Sequence, residues 1–168
     1  SASHRITDSS AAGTCLASGV KTTNGKEGVD PNDNKVRNIA EILKEEGWGI
    51  GVASSVSIDH ATPGAFYAHV PSRSDYYTIG KQLASSNYAF VGGASFLKPF
   101  NVNQSNDDDL FTLCKKSGYT FVRGEEEFNK QYKTLDKIIL IPANEALDDK
   151  LSSSGMLTYA IDKQKGHM

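Results

Sequence analysis

The chain has 168 residues, with 18 basic and 20 acidic side chains and a net charge of -2, so its length suits a single domain over residues 1–168. The near balance of charge excludes a whole-chain field that would attract nucleic acid or an anionic membrane surface. Its longest apolar runs, such as IILIPA at 138–143, are far shorter than the ~20 residues of a membrane-spanning helix.

The N-terminal segment RITDSSAAGT, at 5–14, places an acid and two serines before a run of small residues. Asp8 and Ser9 belong to the residue types that cap helices, because their side chains accept hydrogen bonds from free N–H groups of the first turn. From this segment alone, Ser9 can be a helix cap or a nucleophile. Cys15 occupies a packing position of the same helix, and its separation from Cys114 matches neither a metal-binding nor a redox spacing. Two buried free thiols are therefore expected, with one long-range disulfide as the alternative.

A regular alternation of helix and strand signals follows a glycine-rich, charged loop at 22–34. Apolar residues at helical spacing predict helices, and short β-rich runs bounded by glycine predict strands, the first of which has the character of a buried strand. The helices are expected at 35–46, 74–86, 106–118 and over EEEFNKQY, and the strands at 48–56, 88–93, 119–123 and 137–142. This order predicts an α/β fold with a mostly parallel sheet and helices on both of its faces.

Two further segments carry no functional signal of their own. The acidic triplet Asp107 to Asp109 is typical of solvated charge in the first turn of a helix, so no metal site is assigned to it. Segment 143–168 has weak periodicity and is expected to be irregular.

The segment VSIDHATPGAFYAHVPSR, at 56–73, directly follows the first predicted strand. Ligands of doubly wound sheets bind beyond the carboxyl ends of the strands, so Asp59, His60 and Thr62 are candidate site residues. Taken singly these residues are weak evidence, because a histidine such as His60 or His69 is commonly a hydrogen-bonded structural residue.

Four segments taken together resemble the alkaline phosphatase family. They are TDSSAAGTCLASGVKT at 7–22, NGKEGVD at 24–30, IDHATPGAFYAHVPSR at 58–73 and LTYAID at 157–162. The resemblance is strong up to about residue 73, loose after it, and present again near the C-terminus. It implies part of the three-layer α/β sandwich of that family and hydrolysis of phosphate monoesters through a phosphoserine intermediate.

The resemblance also implies roles for individual residues. Ser9 matches the nucleophile, whose oxygen a zinc ion activates, and Arg73 matches the arginine whose planar fork holds two phosphate oxygens. Asp8 matches the acid that orients this arginine. Thr62 matches the hydroxyl ligand of the family's magnesium ion, and His60 matches a position beside that metal.

Part of the family pattern is missing from the sequence. The family binds two zinc ions and one magnesium ion through an N-terminal G-D-G-M-G segment and through C-terminal Asp, Glu and His ligands, and neither pattern occurs here. We therefore expect an interior piece of a larger enzyme, which by itself binds these metals incompletely and is nearly inactive. The family implies a periplasmic or secreted homodimer that acts on small phosphate monoesters and binds inorganic phosphate. Asp59 matches no family role, and Ser10 is the alternative nucleophile.

Two other functions remain open at this point. Ser9 with His60 or His69 as its base would be a metal-independent serine esterase, although the G-x-S-x-G motif is absent. A non-catalytic α/β module that binds a small anion such as phosphate would agree with the missing metal ligands.

Overall fold

The computed structural model describes residues 1–104 and 106–143. Its centre is a sheet of four parallel strands in the order β1-β2-β4-β3. The strands are β1 (Gly51–Ser57), β2 (Phe90–Ala94), β3 (Thr120–Arg123) and β4 (Ile138–Ile141). The parallel α/β fold expected from the sequence is therefore confirmed. The LTYAID segment and the expected irregular segment beyond residue 143 lie outside the described residues.

Helices connect the strands close to the predicted positions. They are α1 (Ser9–Ser18), α2 (Ile39–Glu45), α3 (Ala61–Gly64), α4 (Tyr76–Ser86), α5 (Leu110–Lys116) and α6 (Gly124–Gln131), which a 3-10 turn at Tyr132–Thr134 follows. The helix predicted at 35–46 begins only after Asn38, because the Asn38 side chain and Glu41 form a reciprocal capping box. The helix predicted at 106–118 begins after Asp109, because this carboxylate caps the N–H of Thr112.

The side chains of the inner strands alternate between two hydrophobic layers, as the two-residue period of a strand requires. In β4, Ile139 and Ile141 face the larger layer, whereas Ile138 and Leu140 face the smaller one. The larger layer includes Ala40, Ile79, Leu83, Leu110 and Cys114 from the helices α2, α4 and α5. The smaller layer includes Phe128 of α6, so helices cover both faces of the sheet.

Strand β1 differs from its prediction as a buried strand. Val52 is its one buried residue, and Gly51, Ala53, Ser55 and Val56 are exposed. The reason is topological: β1 lies at an edge of the described sheet, where it pairs with β2 alone. The hydrophobicity of a segment indicates a strand, but it does not indicate the position of that strand within the sheet.

Both cysteines are free thiols, although only Cys114 is buried and Cys15 is partly exposed. Burial raises the pKa of the Cys114 thiol to about 12, and the Asp109 charge adds to this effect. Cys114 therefore stays protonated and acts as a packing residue. Among the described helices, none has the length and apolar character needed to cross a membrane.

Candidate active site

The N-terminus of α1 separates the roles of three consecutive residues. Asp8 is the N-cap, because its Oδ1 accepts the Ala11 N–H at 2.9 Å, so the capping role considered for Ser9 belongs to its neighbour. Ser10 is fully buried, and its hydroxyl donates to Asp8 Oδ2 at 2.9 Å. Ser9 is the first helical residue and is exposed. A reacting hydroxyl at this position would share the positive end of the helix with a bound anion.

Asp8 links α1 to two other segments of the site. Its Oδ2 accepts the Gly25 N–H at 2.9 Å and lies 3.5 Å from Nη1 of Arg73. Burial by itself raises the pKa of Asp8, but hydrogen bonds from Ala11, Ser10 and Gly25, together with the Arg73 charge, lower it overall. Asp8 is therefore an ionised anchor for the arginine.

Arg73 is held by its backbone as well as by its side chain. Its N–H donates to the Gly25 carbonyl oxygen at 2.7 Å. Nearby on the same two segments, Glu27 and Val70 exchange two backbone hydrogen bonds of 3.0 and 2.8 Å. The Arg73 side chain is 26% exposed, so the guanidinium keeps access to solvent while Asp8 fixes its orientation. A planar guanidinium in this setting can bind two oxygens of one phosphate.

His60 and Thr62 lie at the start of α3, next to this arginine. His60 is the N-cap of α3, and its Nε2 lies 3.4 Å from Nη2 of Arg73. Burial lowers the pKa of His60, and the Arg73 charge lowers it further against the opposing effect of Asp59. The imidazole is therefore uncharged near neutrality. Thr62 is exposed in the first turn of α3.

The close contact between α1 and α3 brings these residues to one end of the molecule. Gly13 permits it, because a Cβ at this position would lie 3.1 Å from Cβ of Ala65 and 3.3 Å from the Ala61 oxygen. A larger residue would therefore force its neighbours to shift by a few tenths of an ångström where the two helices touch. The run of small residues that the sequence shows in α1 has this packing function.

Asp59 and His69 make their hydrogen bonds to residues outside the site. Asp59 is fully buried, and its carboxylate accepts the backbone N–H groups of Leu97 and Lys98 at 2.9 to 3.3 Å. His69 donates from Nδ1 to the Gly28 oxygen at 2.6 Å, and its Nε2 lies 2.9 Å from Oε1 of Glu41. Both residues tie loops to the core.

Among the described residues, no hydrogen bond joins Ser9 to His60 or to His69. A serine esterase needs a base within hydrogen-bond reach of its nucleophile, so the geometry does not favour that alternative. A cavity of about 420 Å³ in the described part of the chain does not include the site either. It lies between α2 and α4 and is lined by residues such as Lys35, Lys44, Gln82 and Tyr88.

Glu27 is a residue of this region that sequence reasoning missed. It is fully buried, and neither of its carboxylate oxygens has a hydrogen-bond partner within the described residues. Burial raises the pKa of Glu27 to about 8; the Arg73 charge lowers it, and the charges of Asp59 and Asp8 raise it. Glu27 stands in a charged loop between Gly25 and Gly28, and nothing in this sequence pattern indicates that its side chain is buried.

The described residues do not complete a metal site. They contain no group of three or more His, Cys, Asp or Glu side chains that could hold a metal ion. Ser9 and Thr62 offer hydroxyl oxygens and His60 an imidazole, which is too few donors for a zinc or magnesium ion without further ligands.

Comparisons with known proteins identify the family of this chain. The alkaline phosphatase family model matches residues 1–138. Alkaline phosphatase 4 of Bacillus subtilis (strain 168) is 36% identical over 135 residues, which are 76% of this chain and 28% of that protein. The alkaline phosphatase of Escherichia coli (strain K12) is 42% identical over 121 residues, which are 71% of this chain and 26% of that protein. The chain thus spans less than a third of these relatives.

Solved structures show the same relationship. The alkaline phosphatase of the Antarctic bacterium TAB5 matches 98% of this chain with a TM-score of 0.83 and 24% identity, over 49% of its own length. A variant of that enzyme, 23% identical to this chain, was solved with magnesium bound. A cold-active alkaline phosphatase from a psychrophilic Shewanella matches 83% of this chain, with a TM-score of 0.69 and 29% identity, over 33% of its length. From the family match over most of its residues, the chain belongs to the alkaline phosphatase family.

Proposed function

We propose that the full-length protein containing this chain hydrolyses phosphate monoesters through a phosphoserine intermediate on Ser9. The observation that carries this proposal is the shared anchor Asp8. This one carboxylate caps the helix that Ser9 begins and also lies 3.5 Å from the guanidinium of Arg73. An exposed hydroxyl and a phosphate-binding fork are thereby fixed relative to each other, as in-line transfer to serine requires.

Each residue of the site has a separate part in the proposed reaction. Arg73 binds two non-bridging oxygens of the substrate, and free N–H groups at the start of α1 add to the attraction for the anion. The Ser9 hydroxyl loses its proton and its oxygen bonds to phosphorus while the bond from phosphorus to the ester oxygen breaks, and the departing oxygen takes up a proton and leaves as an alcohol. Water then releases inorganic phosphate and restores the hydroxyl. Asp8 orients Arg73 throughout, and Ser10 stays committed to Asp8.

Metal ions complete the proposed site only with ligands from outside the described residues. We propose that Ser9 would lie at one of two zinc ions, which would supply the activation of its hydroxyl, and that Thr62 would hold a magnesium ion with His60 beside it. The magnesium found in the variant of the Antarctic enzyme supports metal dependence in this family. We propose that the chain alone is nearly inactive, because ligands from other parts of the full-length protein would be needed to hold these ions.

The biological setting is proposed from the family. We propose that residues 1–168 form one portion of a larger catalytic domain. The whole protein is then a periplasmic or secreted homodimer that acts on small phosphate monoesters and binds inorganic phosphate.

Trapping of the phosphoryl-enzyme tests the assignment of the nucleophile. The full-length protein, incubated with radiolabelled substrate and quenched at low pH, should carry label on serine. Ser9→Ala should abolish this label. The matched control Ser10→Ala removes a hydroxyl one residue along the same helix, and it should retain the label. Label that persists in Ser9→Ala and disappears in Ser10→Ala would assign the reaction to the buried serine.

A phosphate-binding module without turnover is the second candidate for the chain taken alone. The described residues keep the arginine and the helix N-terminus while lacking a metal cluster. Phosphate binding to the purified chain, measured by calorimetry in the presence of excess zinc and magnesium, together with the absence of turnover would support it.

A further inference from the structure

Glu27 lies on the loop that binds the Arg73 backbone, and the charge of this arginine acts on its buried carboxyl. The backbone of Glu27 pairs with that of Val70 through two hydrogen bonds. Gly25, two residues before Glu27, accepts the Arg73 N–H at 2.7 Å. The side chain turns inward against Gly64, where a Cβ would lie only 1.9 Å from Glu27 Oε1. The absence of a side chain at Gly64 therefore leaves the space that the carboxyl occupies.

The surroundings of Glu27 contain few groups that can neutralise it. Arg73 is the cation that acts on it, and Asp59 and Asp8 are the anions. The phenol of Tyr67 acts as a neutral neighbour, because its hydroxyl donates to the Ile58 oxygen and its pKa is raised by burial. Gly64 and Ile79, from α3 and α4, bring no charge.

Glu27 differs from Asp8 and Asp59, the two acids whose charges act on it. Backbone N–H groups donate to the carboxylates of Asp8 and Asp59, and these bonds lower the pKa of both acids, although burial raises the pKa of Asp59 overall. Both Glu27 oxygens lack a partner among the described residues, although the side chain is fully buried. A buried carboxylate in this situation is easily converted to the neutral acid, and burial raises the pKa of Glu27 to about 8. A modest change of charge at Arg73 can therefore change its protonation.

We propose that Glu27 couples the binding of phosphate at Arg73 to the uptake of one proton by its own carboxylate. This inference rests on the proposed function, because it assumes that Arg73 holds phosphate. The bound dianion offsets the attraction of Arg73 for the Glu27 carboxylate, which then takes a proton from solvent and becomes a neutral acid. By thermodynamic reciprocity, an ionised Glu27 lowers the affinity for phosphate. Glu27 is thus a positioning residue that acts through Arg73.

The test compares the pH dependence of phosphate binding in full-length protein variants. Inhibition constants for inorganic phosphate are measured from pH 6.5 to 10 for the wild type, Glu27→Gln and Glu27→Leu. The variants should equal the wild type near pH 6.5, where Glu27 is protonated. Above pH 8 they should bind phosphate about threefold to tenfold more tightly, which corresponds to half to one pKa unit of coupling. Taking ratios to the wild type removes the titration of phosphate and of any bound metal.

The matched control is Glu46→Gln, which removes an exposed carboxylate at the end of α2. Its ratio to the wild type should stay constant with pH. Glu27→Gln and Glu27→Leu profiles that run parallel to the wild type would overturn the proposal. A wild-type protein that neither hydrolyses phosphate monoesters nor binds phosphate would overturn the proposed function and this inference together.

A second measurement needs no substitution that could impair folding. In wild-type protein labelled with ¹³C at the glutamate carboxyls, one buried carboxyl should titrate near pH 8, and saturating phosphate should move this titration to higher pH. A glutamate titration that is the same with and without phosphate would contradict the coupling, whatever the kinetics of the variants.

Discussion

Gly28→Ala should disturb both the stability of the protein and the geometry of the site. Gly28 has a φ of +64°, and a Cβ at this position would lie 1.9 Å from the backbone oxygen of Ala68 and 2.8 Å from Nδ1 of His69. Its own backbone is also engaged, because its N–H donates to Thr14 Oγ1 at 2.9 Å and its oxygen accepts from His69 at 2.6 Å.

The expected magnitude follows from these distances. A left-handed conformation costs a non-glycine residue about 1–2 kcal/mol. Ordinary van der Waals contact begins near 3.4 Å, so one of the two backbone segments must move by about 1.5 Å to relieve the 1.9 Å contact. Overpacking of this kind adds about 1–3 kcal/mol or more. We therefore expect a loss of about 2–5 kcal/mol in the free energy of unfolding.

Gly19→Ala is the matched control. Gly19 has a φ of +74°, and a Cβ there would meet nothing within 4 Å, so only the backbone term of about 1–2 kcal/mol applies. Urea unfolding, followed by circular dichroism, measures both variants at constant pH. Displacement of the Gly28 loop also moves Gly25, which holds Asp8 and Arg73, so Gly28→Ala should weaken phosphate binding and Gly19→Ala should not. Equal losses of stability in the two variants would refute the close packing of this loop.

Three further outcomes are expected. Arg73→Ala should weaken the binding of inorganic phosphate by about 10- to 150-fold for each charge-assisted hydrogen bond that is lost, and phosphoserine should still form. An unchanged inhibition constant for phosphate would exclude Arg73 from the phosphate site. The free energy of unfolding of Glu27→Gln should rise relative to that of the wild type between about pH 4.5 and about pH 8, by at most about 1.4 kcal/mol per pH unit. In this range the folded wild type holds a proton on Glu27 that the unfolded chain has released, so the wild type loses stability as pH rises. Urea unfolding at pH 5 and pH 8 checks this, and a pH-independent difference would contradict the raised pKa. The purified 168-residue chain, supplied with zinc and magnesium, should hydrolyse p-nitrophenyl phosphate very slowly, and robust turnover would show that its own residues suffice for catalysis.

The sequence allowed the elements to be placed because their signals are local. Helical spacing, glycine stops and capping residues lie within a few positions of each other. The acidic triplet predicts the start of α5 to within a few residues, although Asp109 is the N-cap of this helix and does not lie in its first turn. The start of α2 was placed too early because Val36 fits the helical spacing. In the structure its N–H donates to the Gly28 oxygen, a contact within the loop that periodicity cannot reveal.

The candidate site was predictable only through its resemblance to a family. The neighbourhood of Asp8, His60 and Arg73 depends on pairing between segments distant in sequence, and the individual residue types do not indicate that pairing. The sequence does not predict the burial of Glu27, because charged residues in glycine-rich loops usually face solvent. Its burial follows from tertiary packing against Gly64.

The exposed edge strand β1 has a practical consequence for anyone who produces this chain. Its sequence, GVASSVS, contains no charged residue and no proline, the two features that usually prevent an edge strand from recruiting further strands. No other strand in the described part of the chain pairs with its outer side. Backbone groups on this side that no described strand pairs can serve, at high concentration, as a template for growth from one molecule to the next. The solubility of the isolated chain will therefore be limited by an edge with little side-chain protection, even though its hydrophobic core is well packed.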